Sequence, residues 1–408
     1  MQIVLDKILS DLNYKDHRTL VYQNDAGSEG ILTFNNNILY GNFELTRNRV
    51  FKIESLPDLK HVVWAEIDQL AWNDEAQPLM ADPDVEDLPH MRMEELLAEG
   101  HADSETVVEY TVTVHFTKAF KDATADPQTF IEQVIAETNQ GYINSKIPIR
   151  AKLHCVVESD ISDGLDASTT LAKFKHSHSS LSKVRYSADA SILLVNQYAS
   201  GGICGVNYFN TISSGNTVGT VRKGCALGYY GFGHELAHGF GLNHDRRVAS
   251  YSSTDYGYGH VIERGMYRSI MAYNTAGERR INYYSSPSVS FQNIPTGTVY
   301  NDNARTLQEV RFAVANIGDE SMTCPNDIGA TPCEDAYESC AIAAETSCWH
   351  EKVQTSCPTS CGLCPGMASH ISLTCYDKFS NCGQLALLGH CSDVRVNTGC
   401  IMSCGGCV

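Results

Sequence analysis

The chain has 408 residues, 43% of them hydrophobic, and a formal net charge of −18. This length accommodates two or more domains with hydrophobic cores, and no apolar run approaches the roughly 18 residues that a membrane-spanning helix needs. The sequence has no basic patch of the kind that binds phosphates, which excludes nucleic acid as the expected partner.

The N-terminal part of the chain carries most of the negative charge, because residues 1–105 hold 21 acidic and 8 basic side chains. Charges interrupt the apolar residues between Met1 and Lys7, so no signal-peptide core is visible there. Either the sequence lacks its true start or export follows another route.

Short apolar runs at 30–34, 50–53 and 62–64 alternate with turn signals, which predicts strands and a β-rich domain over residues 1–73. Residues 74–105 differ, since they contain eleven acidic side chains, one basic side chain and three prolines. That composition is typical of an exposed, solvated segment. We predict a linker there, with a processing site.

From residue 106 the sequence alternates between strand and helix patterns. Residues 107–116 predict a strand, 130–135 predict a helix, and strands follow at 147–157 and 191–195. This order predicts an α/β (α+β) fold, with a mixed sheet layered against helices. Cys204 and Cys225 lie shortly before the next motif, and we expect a disulfide between them that braces the loop entering its helix. By elimination, Cys155 and Cys324 form a second pair.

The most informative motif runs from His234 to His244 in the pattern His-Glu-x-x-His-x-x-Gly-x-x-His. On a helix, His234 and His238 project from one face and can bind one metal ion, with Glu235 beside them. Gly241 can adopt the positive φ that lets His244 reach the same ion. Three ligands leave a position for water, from which Glu235 can take a proton. The alternative is ordinary polar residues on a buried helix.

With its glycine and third histidine, this segment resembles the metzincin zinc endopeptidases, which also need a methionine-containing turn downstream. Residues 269–273 fit that turn. The resemblance implies a protease domain over residues 106–323 with one catalytic Zn²⁺, and it leaves Ca²⁺ open. It also implies that Met271 packs beneath the ion without binding it, and plain core filling is the alternative for Met271.

Two residues are similar to different branches of this family. Asp245 resembles the reprolysin or adamalysin branch, in which that aspartate hydrogen-bonds toward the methionine turn. Tyr273 resembles the astacin branch, in which a tyrosine there binds zinc or stabilises the oxyanion, and a structural tyrosine is the alternative. The segments that look most like bacterial-type peptidyl-Asp metalloendopeptidases are residues 256–259, 270–273, 284–287 and 303–306. This resemblance covers roughly residues 106–320. Such relatives prefer an acidic residue after the scissile bond, and Arg279 and Arg280 are the candidate cations.

By resemblance to reprolysin precursors, residues 1 to about 105 form a prosegment that covers the active site until it is removed. A permanent small β domain is the alternative. No cysteine precedes Cys155, which excludes a cysteine switch within this chain. An aspartate such as Asp82, Asp84 or Asp87 is a candidate for blocking the metal instead.

Twelve of the sixteen cysteines lie in the last 76 residues, in two runs of six. The gaps between them are 6, 7, 8, 3 and 2 residues in the first run and 6, 8, 8, 3 and 2 in the second. Such density predicts disulfides and an oxidising, extracellular compartment. Zinc binding by these cysteines is the alternative, and the lack of matching histidines disfavours it.

Both runs resemble the ShK-type module, over residues 333–364 and 375–407. That resemblance implies disulfides between the first and sixth, second and fourth, and third and fifth cysteines. The implied pairs are Cys333–Cys364, Cys340–Cys357, Cys348–Cys361, Cys375–Cys407, Cys382–Cys400 and Cys391–Cys404. Channel toxins of this type use an adjacent Lys-Tyr pair, whereas the first module offers Lys352 and Val353. We interpret the modules as adaptors for an extracellular matrix or cell-surface ligand.

These features predict a secreted zinc endopeptidase that acts on proteins or peptides. A rival of another class is a binding protein that acts through its ShK-type modules, with the protease domain as a scaffold. The intact Glu235 and the three histidines argue against that rival. A channel ligand is the second rival, and the missing Lys-Tyr pair disfavours it.

Overall fold

A computed structural model of the chain describes a large part of its first 324 residues. The chain divides into two units, residues 1–326 and 327–408, and all described residues belong to the first. The described residues are 7–14, 17–23, 29–35, 37–45, 49–58, 61–67, 69, 76–80, 106–177, 188–199, 202–212, 217–249, 251–262, 266–318 and 324.

The N-terminal region forms a six-stranded sheet in which each strand pairs antiparallel with the next. Its strands are β1 (Lys7–Tyr14), β2 (His17–Gln23), β3 (Glu29–Asn35), β4 (Ile38–Leu45), β5 (Arg49–Ser55) and β6 (Val62–Glu66). Phe43 and Phe51 stack on one face, with ring centroids 5.5 Å apart. The strands expected between residues 18 and 70 are present.

The second six-stranded sheet is mixed, in the order β7-β11-β12-β10-β8-β9. Its strands are β7 (Leu79–Met80), β8 (Val108–Phe116), β9 (Ile149–Glu158), β10 (Ala190–Val195), β11 (Gly205–Phe209) and β12 (Thr217–Arg222). Strands β8, β9, β10 and β12 run parallel, whereas β11 is antiparallel to β12. β7 comes from the segment expected to be a linker. It pairs with β11 and so covers an edge of this sheet.

The helices pack against this mixed sheet, so the fold is the α/β class that the sequence predicts. The longest begins where Asp126 accepts a hydrogen bond from the Thr129 amide and Pro127 occupies its first turn. The helices are α1 (Lys118–Asp122), α2 (Pro127–Asn144), α3 (Ala167–His176), α4 (Lys223–Ala226), α5 (Gly231–Gly239) and α6 (Asn303–Val314). No helix in the described part of the chain has the length and apolarity to cross a membrane.

The chain after α5 contains five short strands among its described residues. A three-stranded sheet contains β13 (Val261–Ile262), β14 (Tyr267–Arg268) and β15 (Arg279–Arg280), and a hairpin contains β16 (Ser290–Phe291) and β17 (Ile294–Pro295). The structure forms the Cys155–Cys324 and Cys204–Cys225 disulfides. Cys204 precedes β11 and Cys225 lies on α4, so this disulfide ties the edge strand to the chain that enters α5.

The N-terminal sheet lies on helix α2 through buried polar contacts. Thr33 donates a hydrogen bond to Gln133 (2.7 Å), and Asn42 donates one to Glu137. The Tyr40 hydroxyl accepts from the Ala125 amide at 2.9 Å. Because buried polar groups need partners, these bonds specify how the sheet sits on the helix.

Candidate active site

Three histidines converge at the end of helix α5. His234 and His238 lie one turn apart on the helix, and His244 follows it. The Nε2 atom of His244 lies 3.1 Å from that of His234 and 2.9 Å from that of His238. All three side chains are buried.

Gly241 allows the chain to turn back after α5. Its φ of +91° is in the left-handed region, which disfavours residues with a Cβ. An added Cβ would also lie 2.5 Å from the Ser253 hydroxyl. The turn is closed by the Leu242 amide, which donates to the Ala237 carbonyl at 3.0 Å. A glycine at position 241 therefore fits the tight turn between α5 and His244.

The outer nitrogens of the two helical histidines contact backbone carbonyls. Nδ1 of His234 lies 2.9 Å from the Ile270 carbonyl oxygen, and Nδ1 of His238 lies 2.8 Å from that of Leu242. A carbonyl only accepts, so each Nδ1 carries the proton and each Nε2 presents a lone pair. Burial, and then the neighbouring His238 charge, keep the pKa of His234 and His244 well below the ordinary value. Neutral imidazoles with converging lone pairs fit a divalent cation.

Glu235 lies between the histidines and the edge strand. Its side chain is buried, and its backbone carbonyl accepts a hydrogen bond from Asn207 of β11 at 2.6 Å. Gly205 faces its carboxylate: an added Cβ would lie 2.6 Å from Oε1 and 2.8 Å from Cγ of Glu235. A glycine at the start of β11 thus leaves the space that the carboxylate occupies.

The methionine turn contacts the histidines through Ile270 and Tyr273. Met271 is fully buried, and the backbone amide of Tyr273 donates to Asp245 Oδ2 at 2.9 Å. The Tyr273 ring lies 3.9 Å from the His244 ring, centroid to centroid. Asp245 therefore joins the end of the histidine motif to the turn.

The two candidate cations differ in their surroundings. Arg279 is partly exposed on β15, whereas Arg280 is only 1% exposed. The Arg280 guanidinium lies 4.6 Å from the centre of the Tyr229 ring and donates to the Tyr229 carbonyl at 3.1 Å. Its charge contributes to the lowered pKa values of His234 and His244, as does that of Arg268.

Sequence reasoning did not identify Gly205, Arg247, Arg268 or Glu278 as residues of this region. They stand outside the histidine motif and carry no spacing signal of their own. Arg268 is fully buried and donates to the Tyr229 hydroxyl at 2.9 Å. The twelve cysteines of the ShK-type runs and Asp82, Asp84 and Asp87 lie outside the described residues.

Comparison with known proteins gives two family matches. Residues 106–285 match a model described as metallo-peptidase family M12. Residues 332–364 and 374–407 match the ShK domain-like model.

Two relatives with similar sequences are bacterial. A protein named peptidyl-Asp metalloendopeptidase from Stenotrophomonas maltophilia is 28% identical over 310 residues, 72% of this chain and 71% of its own. A Pseudomonas fragi protein of the same name is 30% identical over 184 residues, 44% of this chain and 98% of its own. Among solved structures, metalloproteinase-II from Bacteroides fragilis aligns with a TM-score of 0.41 and 10% identity, over 69% of this chain and 83% of its own.

Proposed function

This chain belongs to metallopeptidase family M12 and is a metalloendopeptidase, and from that premise we propose that His234, His238 and His244 bind one zinc ion and that Glu235 is the general base. The observation that carries the proposal is that Nε2 of His244 lies within 3.1 Å of Nε2 of both His234 and His238, beside a buried carboxylate. This geometry supports the proposal, because converging imidazole nitrogens suit a metal ion.

His234, His238 and His244 would hold the zinc ion, which when bound would act as a Lewis acid on the substrate carbonyl and lower the pKa of water. Glu235 accepts a proton from the attacking water and returns it to the leaving amine. Its burial between α5 and β11 removes competing solvent, which strengthens the electrostatic effect of the carboxylate. Tyr273, whose ring lies against His244, is the candidate donor to the developing oxyanion.

The test is proteolysis of an unbiased peptide mixture by the purified protein after removal of residues 1–105. A zinc chelator is expected to abolish cleavage, and readdition of zinc to restore it. Glu235→Gln is expected to keep its zinc and to lose roughly 10²–10⁴-fold in rate, the usual contribution of a general base. Tyr273→Phe separates a hydroxyl role from a packing role, because it keeps the ring against His244.

A folded, zinc-loaded protein that cleaves nothing would favour the rival function, binding through the ShK-type modules. A protein that binds no zinc would contradict the metal assignment itself. Zinc content measured together with activity distinguishes these outcomes.

We further propose that substrates with an acidic residue after the scissile bond are preferred, and that Arg280 supplies the cation. The names of the two bacterial relatives support this preference. Arg280 is favoured over Arg279 because it is buried, and because its charge acts on the candidate zinc ligands.

The matched variants are Arg280→Gln and Arg279→Gln, each profiled on a peptide library that contains Asp, Glu, Asn and Gln after the scissile bond. Arg280→Gln is expected to lose the acidic preference through a higher KM for acidic peptides, and Arg279→Gln is expected to keep it. An unchanged profile in both variants would reject the assignment.

Latency through residues 1–105 is the third part of the proposal. The Ala76 amide donates to the Gly205 carbonyl at 2.9 Å, and β7 continues the pairing along β11. Since Gly205 faces Glu235, a chain on this edge lies beside the general base. An extended substrate that adds a strand to β11 needs the same backbone groups.

A second contact of the N-terminal region supports this latency. The Gln69 side chain exchanges two hydrogen bonds with the backbone of Arg280, at 2.8 and 3.2 Å. Arg280 also lines a cavity of about 60 Å³ whose lining includes Ile31, Asn42 and Phe43 of the N-terminal sheet. Removal of the N-terminal region is therefore expected to uncover both the edge strand and the candidate specificity residue.

We also propose an extracellular location and an adaptor role for the ShK-type modules. The cysteine-dense tail supports both, since disulfides persist in oxidising compartments. Pull-down with the full chain and with a chain that ends before residue 333 tests the adaptor role: loss of matrix or cell-surface binding without loss of peptide cleavage is expected.

A further inference from the structure

The last two carbonyl groups of the methionine turn are each held by a different arginine. The Ala272 carbonyl accepts a hydrogen bond from Nη1 of Arg268. The Tyr273 carbonyl accepts one from Nη2 of Arg247 at 2.9 Å. Arg268 precedes the turn and Arg247 follows the histidine motif, so the turn is fixed from two separate segments of the chain.

Both arginines also contact Glu278, at the end of the loop that follows the turn. Arg268 donates to its backbone carbonyl at 3.2 Å, and Arg247 donates to its Oε1 at 2.5 Å. The other carboxylate oxygen accepts the amides of Thr275 and Ala276, both at 2.8 Å. Glu278 is only 1% exposed. We refer to Arg247, Arg268 and Glu278 as the arginine clamp.

Arg247 extends the clamp to the third histidine. Its Nε donates to Oδ1 of Asp245 at 2.6 Å, and Asp245 directly follows His244. Oδ2 of Asp245 accepts from the Tyr273 amide, and the Tyr273 ring lies on the His244 ring. The position of His244 is therefore linked through Arg247 to the far end of the methionine turn.

We infer that the arginine clamp positions His244 and Tyr273 for metal binding, and that Arg247 is its central positioning residue. This inference rests on the proposed function, because it requires that His244 binds zinc. A stabilising role alone does not account for where the hydrogen bonds of Arg247 end, because they hold Asp245 and the Tyr273 carbonyl, on either side of His244. Groups that orient metal ligands typically change metal affinity or activity by about 10–100-fold when removed.

The test compares Arg247→Met with Arg246→Met, its neighbour in sequence. Arg246 also forms several hydrogen bonds, to Asp255, Tyr300 and Asn301, and its guanidinium lies 4.0 Å from the Tyr258 ring. None of those partners belongs to the methionine turn. The control therefore removes an arginine with a similar number of contacts and leaves the clamp intact.

The primary measurement is the rate at which zinc passes from the full-length protein to a coloured chelator. Arg247→Met is expected to release zinc about 10–100-fold faster than wild type, and Arg246→Met within about threefold of wild type. Arg247→Lys is expected to give an intermediate rate, because one ammonium can sit between Asp245 and Glu278 but cannot also reach the Tyr273 carbonyl. The visible spectrum of the Co²⁺-substituted protein should shift in Arg247→Met alone.

Equal zinc release from Arg247→Met and Arg246→Met, with equal Co²⁺ spectra, would overturn the inference. Thermal unfolding of the zinc-free proteins separates a fold defect from a site defect. If Arg247→Met fails to fold, Glu278→Gln tests the same link, and accelerated zinc release is again expected. A wild-type protein that binds no zinc would contradict the proposed function, whereas zinc binding without sensitivity to Arg247 or Glu278 would contradict only the clamp.

Discussion

Gly205 controls how closely the edge strand approaches Glu235. A Cβ at this position would lie 2.6 Å from the Glu235 carboxylate and 2.7 Å from the Thr220 carbonyl oxygen. Since the backbone of β12 lies on one side, the carboxylate is the group that has to move. Gly205→Ala is therefore expected to lower kcat by about 10²-fold, a typical effect of displacing a catalytic group by about 1 Å.

Zinc content distinguishes this effect from general damage, and Gly205→Ala is expected to keep one zinc per chain. Gly277→Ala is the control, because its Cβ would meet nothing within 4 Å although its φ of +94° makes the substitution strained. Equal losses of activity in the two variants would contradict a specific effect of contact with Glu235.

Glu278 is a second residue whose environment has a measurable consequence. Burial alone would raise its pKa, but hydrogen bonds from the Ala276 amide and from Arg247 hold the pKa at about 2, below the ordinary 4.5. Because the pKa of Glu278 is lower in the folded protein than in the unfolded chain, its ionised carboxylate stabilises the fold at pH values above about 4.5. This stabilisation is lost as the pH falls from about 4.5 through 2. The shift corresponds to roughly 3 kcal/mol at neutral pH.

Glu278→Gln is expected to remove this dependence. Urea unfolding of the zinc-free proteins should show wild type more stable than Glu278→Gln at pH 7, with the difference shrinking toward pH 2. Other acid-sensitive groups are common to both proteins and cancel in the difference. A difference that stays constant from pH 7 to pH 2 would contradict the assignment.

Candidate metal ligands close together in sequence could be proposed from their spacing alone. His234, Glu235, His238 and Gly241 share one turn of helix and its end, so their spacing alone encodes a metal-binding geometry. Gly205 and Glu278 act on the same region from strands and loops some thirty to forty residues away. Their roles depend on β11 lying beside α5 and on the loop after β14, which no local pattern encodes.

At the scale of elements, strands with clear apolar alternation were predictable, and β7 was not. Residues 107–116 alternate over nine positions of β8, whereas Leu79 and Met80 form a two-residue strand within an acidic segment. Pairing with the edge of β11 supplies the hydrogen bonds that composition alone cannot indicate. A short edge contact of this kind is determined by tertiary structure and not by propensity.

The β7 contact leads to a prediction for the uncut protein. Ala76→Pro removes the amide that donates to the Gly205 carbonyl and fixes φ, so the segment should bind the edge of β11 less well. The full-length variant is expected to cleave a fluorogenic peptide several-fold faster than full-length wild type. After removal of residues 1–105, the two proteins should have the same activity.

Gln77→Ala is the matched control, since Gln77 is exposed in the same segment and its backbone amide is retained. If full-length Ala76→Pro is no more active than Gln77→Ala, the edge contact does not limit substrate access.

At the scale of the whole molecule, pH is expected to affect how tightly the N-terminal sheet binds to the protease domain. This expectation comes from the buried interface between the sheet and α2. Glu137 accepts hydrogen bonds from Asn42 and from the Gly228 amide at 2.7 Å. Burial raises the pKa of this carboxyl well above the ordinary 4.5. Removal of the N-terminal sheet takes away Asn42 and part of the burial, so the pKa should fall back toward that value.

A group that binds its proton more tightly in the docked state makes docking depend on pH. Docking is strongest below the ordinary pKa of the free carboxyl, and it weakens as pH rises from about 4.5 through the raised pKa of the docked state. Protein cut within residues 81–105 is therefore expected to retain its N-terminal part at pH 5 and to release it faster at pH 8. Separation by gel filtration at the two pH values, with the kinetics of activation beside it, measures this.

Glu137→Gln provides the decisive comparison, because an amide keeps the shape of the side chain and cannot ionise. The cut variant is expected to hold its N-terminal part equally well at pH 5 and pH 8. The Lys223–Glu54 ion pair between α4 and the N-terminal sheet is unchanged in this variant, so any pH dependence that survives has an origin other than Glu137. If wild type and Glu137→Gln release the N-terminal part with the same pH profile, Glu137 does not control docking. Release confined to the wild type at high pH would make one buried carboxyl the link between proteolytic processing and the exposure of the active site.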